Sequence, residues 1–335
     1  MATAANFSSD RLWHRDWIEA AGEATIRKRS AATKPVRLFC GWFCPFAQRA
    51  WIACEAKGID YEYVEINPYE VDESEPGGYT KKQLPLDVKR ARCPEFVASS
   101  PRGLLPAMDA DGERVWESLQ LIEYIDEKFA GSPLMPEGDA LARAHVRIWI
   151  SHSTERIQKP YYTMLMEQEP ARREAAKAQM FEGVRTLAAA MSSSGPFFLG
   201  EQFSLFEVAI APFWQRYLWV GSHYRDLAFP DQTAFQRLAA WWAAVERHPA
   251  VAATFVCRPR LVSSYNDYEK NKGTSDIAKS LQQGLSGAAR KHHEQAIGVQ
   301  QAATSTAHQR GAVVSALALG LAVGASVATV VLRRR

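Results

Sequence analysis

"FCGWFCPFAQRAW", residues 39 to 51, carries two cysteines four positions apart, the second followed at once by proline. The flanking chain decides how it folds. Pro35-Val36-Arg37-Leu38-Phe39-Cys40 is a strand-like run, and Gly41-Trp42-Phe43 follows it as a turn. From Pro45 to about Ala56, residues Phe46, Ala50, Trp51 and Cys54 recur at helical spacing. Proline suits the first helical position because its missing N–H would be unbonded there anyway. Cys44 is then the expected N-cap, its sulfur facing the free amides of the first turn. Those amides and the positive end of the helix dipole favour an anion, so a cysteine held there has a lowered pKa and more thiolate.

Strand, turn, Cys-Pro-aromatic, helix is the arrangement of thioredoxin-like redox sites, whose usual pattern is Cys-x-x-Cys. Here the fourth position is Ala47. With no resolving thiol one helical turn along, a disulfide at Cys44 must be cleared by an outside thiol. That points to a glutathione-dependent, monothiol mechanism. The competing possibility is an inert packing cysteine at a helix start; strand, Pro45 and cap position together favour the working thiol. Cys40 reads as core, with a response to oxidation as its alternative. Cys54 reads as packing, and Cys93 and Cys257 carry no motif. Five cysteines at irregular spacing suggest neither a disulfide framework nor a zinc site, which fits a reducing compartment, and no metal is expected.

A chain of 335 residues suggests about two domains plus extras, and 47% hydrophobic residues supply a real core. The formal charge is +3, and Arg333 to Arg335 account for all of it, so a broad nucleic-acid surface is not expected. The N-terminus resembles neither a secretory signal nor a transit peptide. Residues 1–34 are expected as an extension carrying an amphipathic helix over 9–29. A thioredoxin-like domain, 35–130, follows, with "IDYEYVEI" as a second strand parallel to the first. Within it, about 70–92 is a long polar insertion, and loops of that size are often functional. "RGLLPAMDADGERVWES", residues 102 to 118, reads as a hairpin around Asp111-Gly112, with a cis bond expected between Leu105 and Pro106. Ser118 is expected to cap the next helix and, with its first-turn amides, to make a carboxylate site. Residues 138–257 read as an all-helical domain, with a capping box at Ser204 and Glu207 and a kink at Pro212. Residues 258–310 read as a polar stalk.

"GAVVSALALGLAVGASVATVVL", residues 311 to 332, has no charge and is long enough as a helix, at about 30 Å, to cross a bilayer core. It is expected as a tail anchor with the preceding domains cytosolic, in a mitochondrial outer or peroxisomal membrane rather than the endoplasmic reticulum.

These residues resemble the cysteine-type glutathione transferases, of the omega and lambda classes and their fungal relatives, over about 35 to 257. The resemblance rests on Cys44-Pro45-Phe46-Ala47-Gln48-Arg49, Asn67-Pro68-Tyr69, Pro101-Arg102-Gly103-Leu104-Leu105-Pro106, Glu117-Ser118 and "GPFFLGEQFSLFEVAIAPFWQRY" at 195 to 217. It implies a thioredoxin-like domain followed by a helical one, as a homodimer, with glutathione as co-substrate. It implies that Cys44 forms the mixed disulfide and that Leu105 pairs its backbone with the cysteinyl part, beside Phe46 and Pro106. Glu117 and Ser118 would hold the γ-glutamyl end, and Arg92 the glycine carboxylate. Arg216 and Trp241 match positions lining the second-substrate pocket. The activity expected is thiol–disulfide exchange, including deglutathionylation and dehydroascorbate reduction, with weak conjugation of electrophiles. The acceptor is a small-molecule or protein disulfide or electrophile. The rival is a non-catalytic, tail-anchored membrane adaptor with the same fold; the intact Cys-Pro-Phe and Glu-Ser motifs favour the enzyme.

Overall fold

In the computed structural model the chain enters the sheet with β1 (Thr25–Lys28) and β2 (Val36–Cys40), crosses through α1 (Pro45–Lys57) and returns as β3 (Tyr61–Glu65). Strands β2 and β3 are parallel, with Val36 opposite Tyr61 and Cys40 opposite Glu65. A parallel pair needs such a crossover, and the helical pattern after Pro45 supplies it. Cys44 is the N-cap of α1, at φ −88° and ψ 116°, and Pro45 sits in the first turn. Gly58 ends the helix at φ +63°, a left-handed conformation natural to glycine. The structure describes residues 25–28, 36–72, 74, 79–230, 233–256, 258–274, 278, 279 and 282.

Strands β4 (Tyr69–Val71) and β5 (Tyr79–Gln83) form a separate antiparallel pair, followed by α2 (Leu86–Arg92) and α3 (Pro94–Ser99). The polar insertion is therefore a hairpin and a helix. Next, β6 (Ala107–Ala110) and β7 (Glu113–Trp116) turn at Asp111 and Gly112, both at positive φ, and the Leu105–Pro106 bond is cis, as the hairpin pattern predicts. The sheet order is β1-β3-β2-β6-β7, with every neighbour pair antiparallel except β2 and β3. Helix α4 (Ser118–Lys128) then packs on α1, and the two bury Ala50, Ala53, Leu121, Ile122 and Ile125. A second cluster joins Phe39, Val64, Ile66, Phe96, Val97 and Ala107. This is a thioredoxin-like domain.

The helical part starts with α5 (Ala140–Ser153), which passes through wider π-helical turns at Thr154–Gln158 into α6 (Lys159–Met166). It continues with α7 (Pro170–Ala190) and α8 (Leu205–Arg216), π turns at Tyr217–Gly221, α9 (Ser222–Arg225), α10 (Thr233–Val245) and α11 (Pro249–Ala252). The capping box forms: the Ser204 amide donates to Glu207 Oε2 at 2.9 Å. Helix α8 continues through Pro212 to Arg216.

Three expectations need correction. Residues 25–28, placed in an N-terminal helix, are strand β1, paired with β3 from Thr25↔Glu65 to Lys28↔Glu62. Without it, β3 would present an open edge of unpaired backbone groups. Residues 9–24 of that helix, Cys257 and the span at 311–332 lie outside the described residues. Among the described residues, no helix is long and apolar enough to cross a membrane. The stalk does not begin at 258. Helices α12 (Arg258–Ser263) and α13 (Asn266–Glu269) bury Leu261, Val262 and Tyr268, with Tyr265 buried between them. Finally, Glu117 rather than Ser118 is the N-cap of α4, at φ +68°, and Ser118 is the first helical residue.

Leu261 has no exposed surface. Leu261→Ala should cost about 2–5 kcal/mol of stability, read as a lower urea midpoint; a residue on a solvated stalk would leave the midpoint unchanged.

Candidate active site

The loop Gly41–Phe43 delivers Cys44 to the start of α1. The Cys44 amide donates to Gly41 O at 2.9 Å, and its carbonyl accepts from the Gln48 amide at 3.0 Å, so the backbone on both sides is held. A Cβ at Gly41 would meet Leu105 Cδ1 at 2.9 Å, so glycine lets the segment before Pro106 approach this loop. Cys40, Cys54 and Cys93 are buried, whereas Cys44 is half-buried. Among the described cysteines it is the one that is not buried.

Beneath the loop the surroundings are buried. Glu65 accepts from the Tyr63 hydroxyl at 2.6 Å and from the Trp42 amide at 3.4 Å. Burial pushes its carboxyl up to about 8, against the hydrogen bonds from Tyr63 and Trp42 and the charge of Arg260, which favour the anion. Burial, and next Glu65, raise the neighbouring Cys40 thiol well above its ordinary range. Two cysteines of one motif thus differ: Cys40 is kept neutral in the interior, and Cys44 is presented at a helix N-terminus.

Ser118 is buried, and its Oγ accepts from Arg49 Nη1 at 3.1 Å. Beside it, Glu117 is exposed and pairs with Arg102 at 3.2 Å. Phe46 is half-buried, with its ring edge-on to Phe213 of α8 at 5.1 Å. Leu105 is partly buried against the β-sheet cluster and Pro106 is buried. Arg92 is exposed in the last turn of α2. A different basic residue of that helix, Lys89, is buried and donates to Gly103 O at 3.0 Å. The arrangement puts a thiol at one helix N-terminus and a hydroxyl in the first turn of another, and Arg49 of the first helix bonds that hydroxyl. Those groups suit a small ligand that carries both a sulfur and a carboxylate.

Arg216 and Trp241, expected to line a substrate pocket, do not line one; both have no exposed surface. Arg216 donates to Gln48 Oε1 at 2.6 Å, Pro212 O at 2.7 Å, Tyr265 OH at 2.9 Å and Phe43 O at 3.2 Å. Trp241 Nε1 donates to Glu207 Oε1 at 3.0 Å. A buried guanidinium or indole N–H must find acceptors, and these are spent inside the protein. Sequence inspection gave no role to Gln48, Arg49, Glu65 or Lys89. For Gln48, Arg49 and Glu65 the available signal was polarity within apolar runs, such as Gln48-Arg49 between Phe46-Ala47 and Ala50-Trp51-Ile52-Ala53; Lys89 lies in an exposed helix and carries no such signal.

Glu65 holds its proton up to about pH 8 in the folded state, against an ordinary value of 4.5. Folding therefore takes up a proton between these values, and the stability this group supports, complete below 4.5, drains away as pH rises towards 8. Glu65→Gln should flatten that slope in melting temperature plotted against pH. An identical slope in both proteins would mean that Glu65 ionises freely.

Comparison with known proteins agrees with this geometry. Residues 43–128 match the family model of the glutathione S-transferase N-terminal domain, and residues 170–244 match that of the C-terminal domain. Glutathione S-transferase L2, chloroplastic, of Arabidopsis thaliana is 31% identical over 230 residues, covering 68% of this chain and 69% of the relative. The crystal structure of glutathione transferase Omega 3C from Trametes versicolor superposes with a TM-score of 0.55 at 29% identity, over 72% of this chain and 94% of that one. Rice GST1, solved in complex with glutathione, gives 0.56 at 27% identity, over 72% of this chain and all of that one. With a thioredoxin-like domain, a helical domain and a thiol at the junction of strand and helix, the chain belongs to the glutathione S-transferase family and is a glutathione transferase.

Proposed function

We propose that this chain is a cysteine-type glutathione transferase, of the omega and lambda kind, that works as a glutathione-dependent thioltransferase. The observation that carries the proposal is Cys44 itself: a half-buried thiol at the N-cap of α1, while the other described cysteines are buried. In the first step the Cys44 thiolate attacks the glutathione sulfur of a mixed disulfide. A Cys44–glutathione disulfide forms, and the acceptor leaves as its thiolate and takes up a proton. In the second step a glutathione thiolate attacks the glutathione sulfur of that adduct. Oxidised glutathione leaves and the Cys44 thiolate is regenerated. Position 47 is alanine, so no internal thiol competes with the second step.

In the same proposal, Ser118 and the first-turn amides of α4 hold the γ-glutamyl carboxylate, and Leu105 offers its backbone to the cysteinyl part. The glycine carboxylate falls to Lys89, which is bonded to the loop at Gly103, rather than to exposed Arg92. A second copy of the chain is the proposed partner for α5, where Leu141 and Ile148 are 66% and 56% exposed.

Cys44→Ser should abolish reduction of a glutathionylated substrate while glutathione affinity stays within about twofold, since the hydroxyl keeps the contact and loses the nucleophile. Mass spectrometry after exposure to oxidised glutathione should find the adduct on Cys44. Activity that survives the substitution, with the adduct on Cys40 or Cys54, would sink the proposal. Ala47→Cys tests the monothiol mechanism separately: a thiol one helical turn along should form an internal disulfide with Cys44 under oxidising conditions. If both thiols stay free, the mechanism loses its geometric basis.

A further inference from the structure

Arg49 is 2% exposed, and among the described residues no carboxylate pairs with it. Its Nε donates to Ala209 O at 2.8 Å and its Nη1 to Ser118 Oγ at 3.1 Å. The guanidinium carbon lies 4.6 Å from the ring centre of Phe213 and 5.3 Å from that of Phe46. Nη2 is buried without a hydrogen-bond partner. Side chains of a helix lean towards its N-terminus, so this one reaches back along α1 towards Cys44. Burial lowers its pKa to about 10, which leaves it cationic at neutral pH; Tyr217, Cys44 and Tyr162 are the groups near enough to favour the charge.

A buried cation with no carboxylate and one idle donor is an expensive thing to keep for packing alone. It makes sense where anions come and go. The bond from Nη1 occupies a lone pair of Ser118 Oγ, which leaves the hydroxyl proton to point elsewhere, as a donor. Resting on the thioltransferase proposal above, we infer that Arg49 is a positioning residue serving both ends of the glutathione site. It holds the Ser118 hydroxyl as a donor to the γ-glutamyl carboxylate and supplies the buried positive charge facing the Cys44 thiolate. One side chain therefore couples ligand recognition to the state of the nucleophile.

The experiment uses the full chain and two readouts: carbamidomethylation of Cys44 by iodoacetamide at pH 7, followed by mass spectrometry, and glutathione affinity by calorimetry. Arg49→Met removes the charge and keeps the bulk. It should slow alkylation about tenfold, the effect of an opposite charge nearby, and weaken glutathione about tenfold. Adding Ser118→Ala to that variant should weaken glutathione less than about threefold further, because the two residues act as one unit. Arg49→Lys keeps the charge but not the fork. It should alkylate within about twofold of wild type and lose affinity as Ser118→Ala does. A folded Arg49→Met that alkylates at the wild-type rate, or losses that simply multiply in the double variant, overturn the inference. If Arg49→Met does not fold, the lysine variant decides, and slowed alkylation there overturns it. Turnover that survives in Cys44→Ser defeats the thioltransferase proposal instead, and these two readouts still judge Arg49.

Discussion

Arg216 carries its guanidinium to a place with no solvent-exposed surface. A guanidinium has five N–H donors and does not shed its proton, so burying one obliges the surrounding chain to supply acceptors from several directions. The acceptors come from the active-site loop at Phe43, from α1 at Gln48, from its own helix at Pro212, and from Tyr265 between α12 and α13. Gln48 in turn donates to Thr254 Oγ1 at 3.1 Å. The loop that presents Cys44 is thereby tied to the helical part and to the segment that follows it. Arg49 adds a second tie, to Ala209 and Ser118. The thioredoxin-like half makes the thiol, and the helical half decides where it stands.

The features legible from the chain were those written locally. Strand, turn and Pro45 place Cys44 at the helix start because each signal acts within a few residues. The cis bond before Pro106, the Asp111-Gly112 turn and the Ser204–Glu207 box are equally local, and all are found. The features that escaped depend on partners far along the chain. Arg216 looks like a polar residue bound for a pocket until Phe43 and Gln48 are known to surround it. The segment after 258 is polar on average, yet Leu261, Val262, Tyr265 and Tyr268 are spaced so that one side is buried. Strand β1 escaped because Trp13, Trp17 and Ile18 set a helical rhythm that was carried on to Ile26, where the open edge of β3 takes precedence.

Within one motif, location rather than residue type sets the chemistry. Cys40 ends a strand and sits with Glu65 and Tyr63 in a closed, proton-holding pocket. Cys44 lies past a three-residue turn, where the backbone leaves the sheet and the interior ends. Gly41 is the tight point: a Cβ there would stand 2.9 Å from Leu105 Cδ1 and 3.2 Å from the Ile66 carbonyl, so its neighbours would have to give way. The neutral underside also matters to the upper side, since an ionised Glu65 beneath the loop would set a negative charge under the very turn that delivers Cys44.

The ties made by Arg216 have a consequence in time. Its bonds to Phe43 and Gln48 span sequence separations of 173 and 168 residues, and Gln48 reaches Thr254 across 206. On the ribosome the strand, turn and helix around Cys44 emerge early, with their polar side chains still hydrated. Their final partners arrive only after most of the described chain has been made. The nascent protein thus carries Cys44 in an unfinished setting for much of its synthesis, and its surroundings are completed late, when the helical half closes over Gln48 and Arg49. A ribosome that stops short of Arg216 leaves behind a chain with the motif intact and these ties unmade.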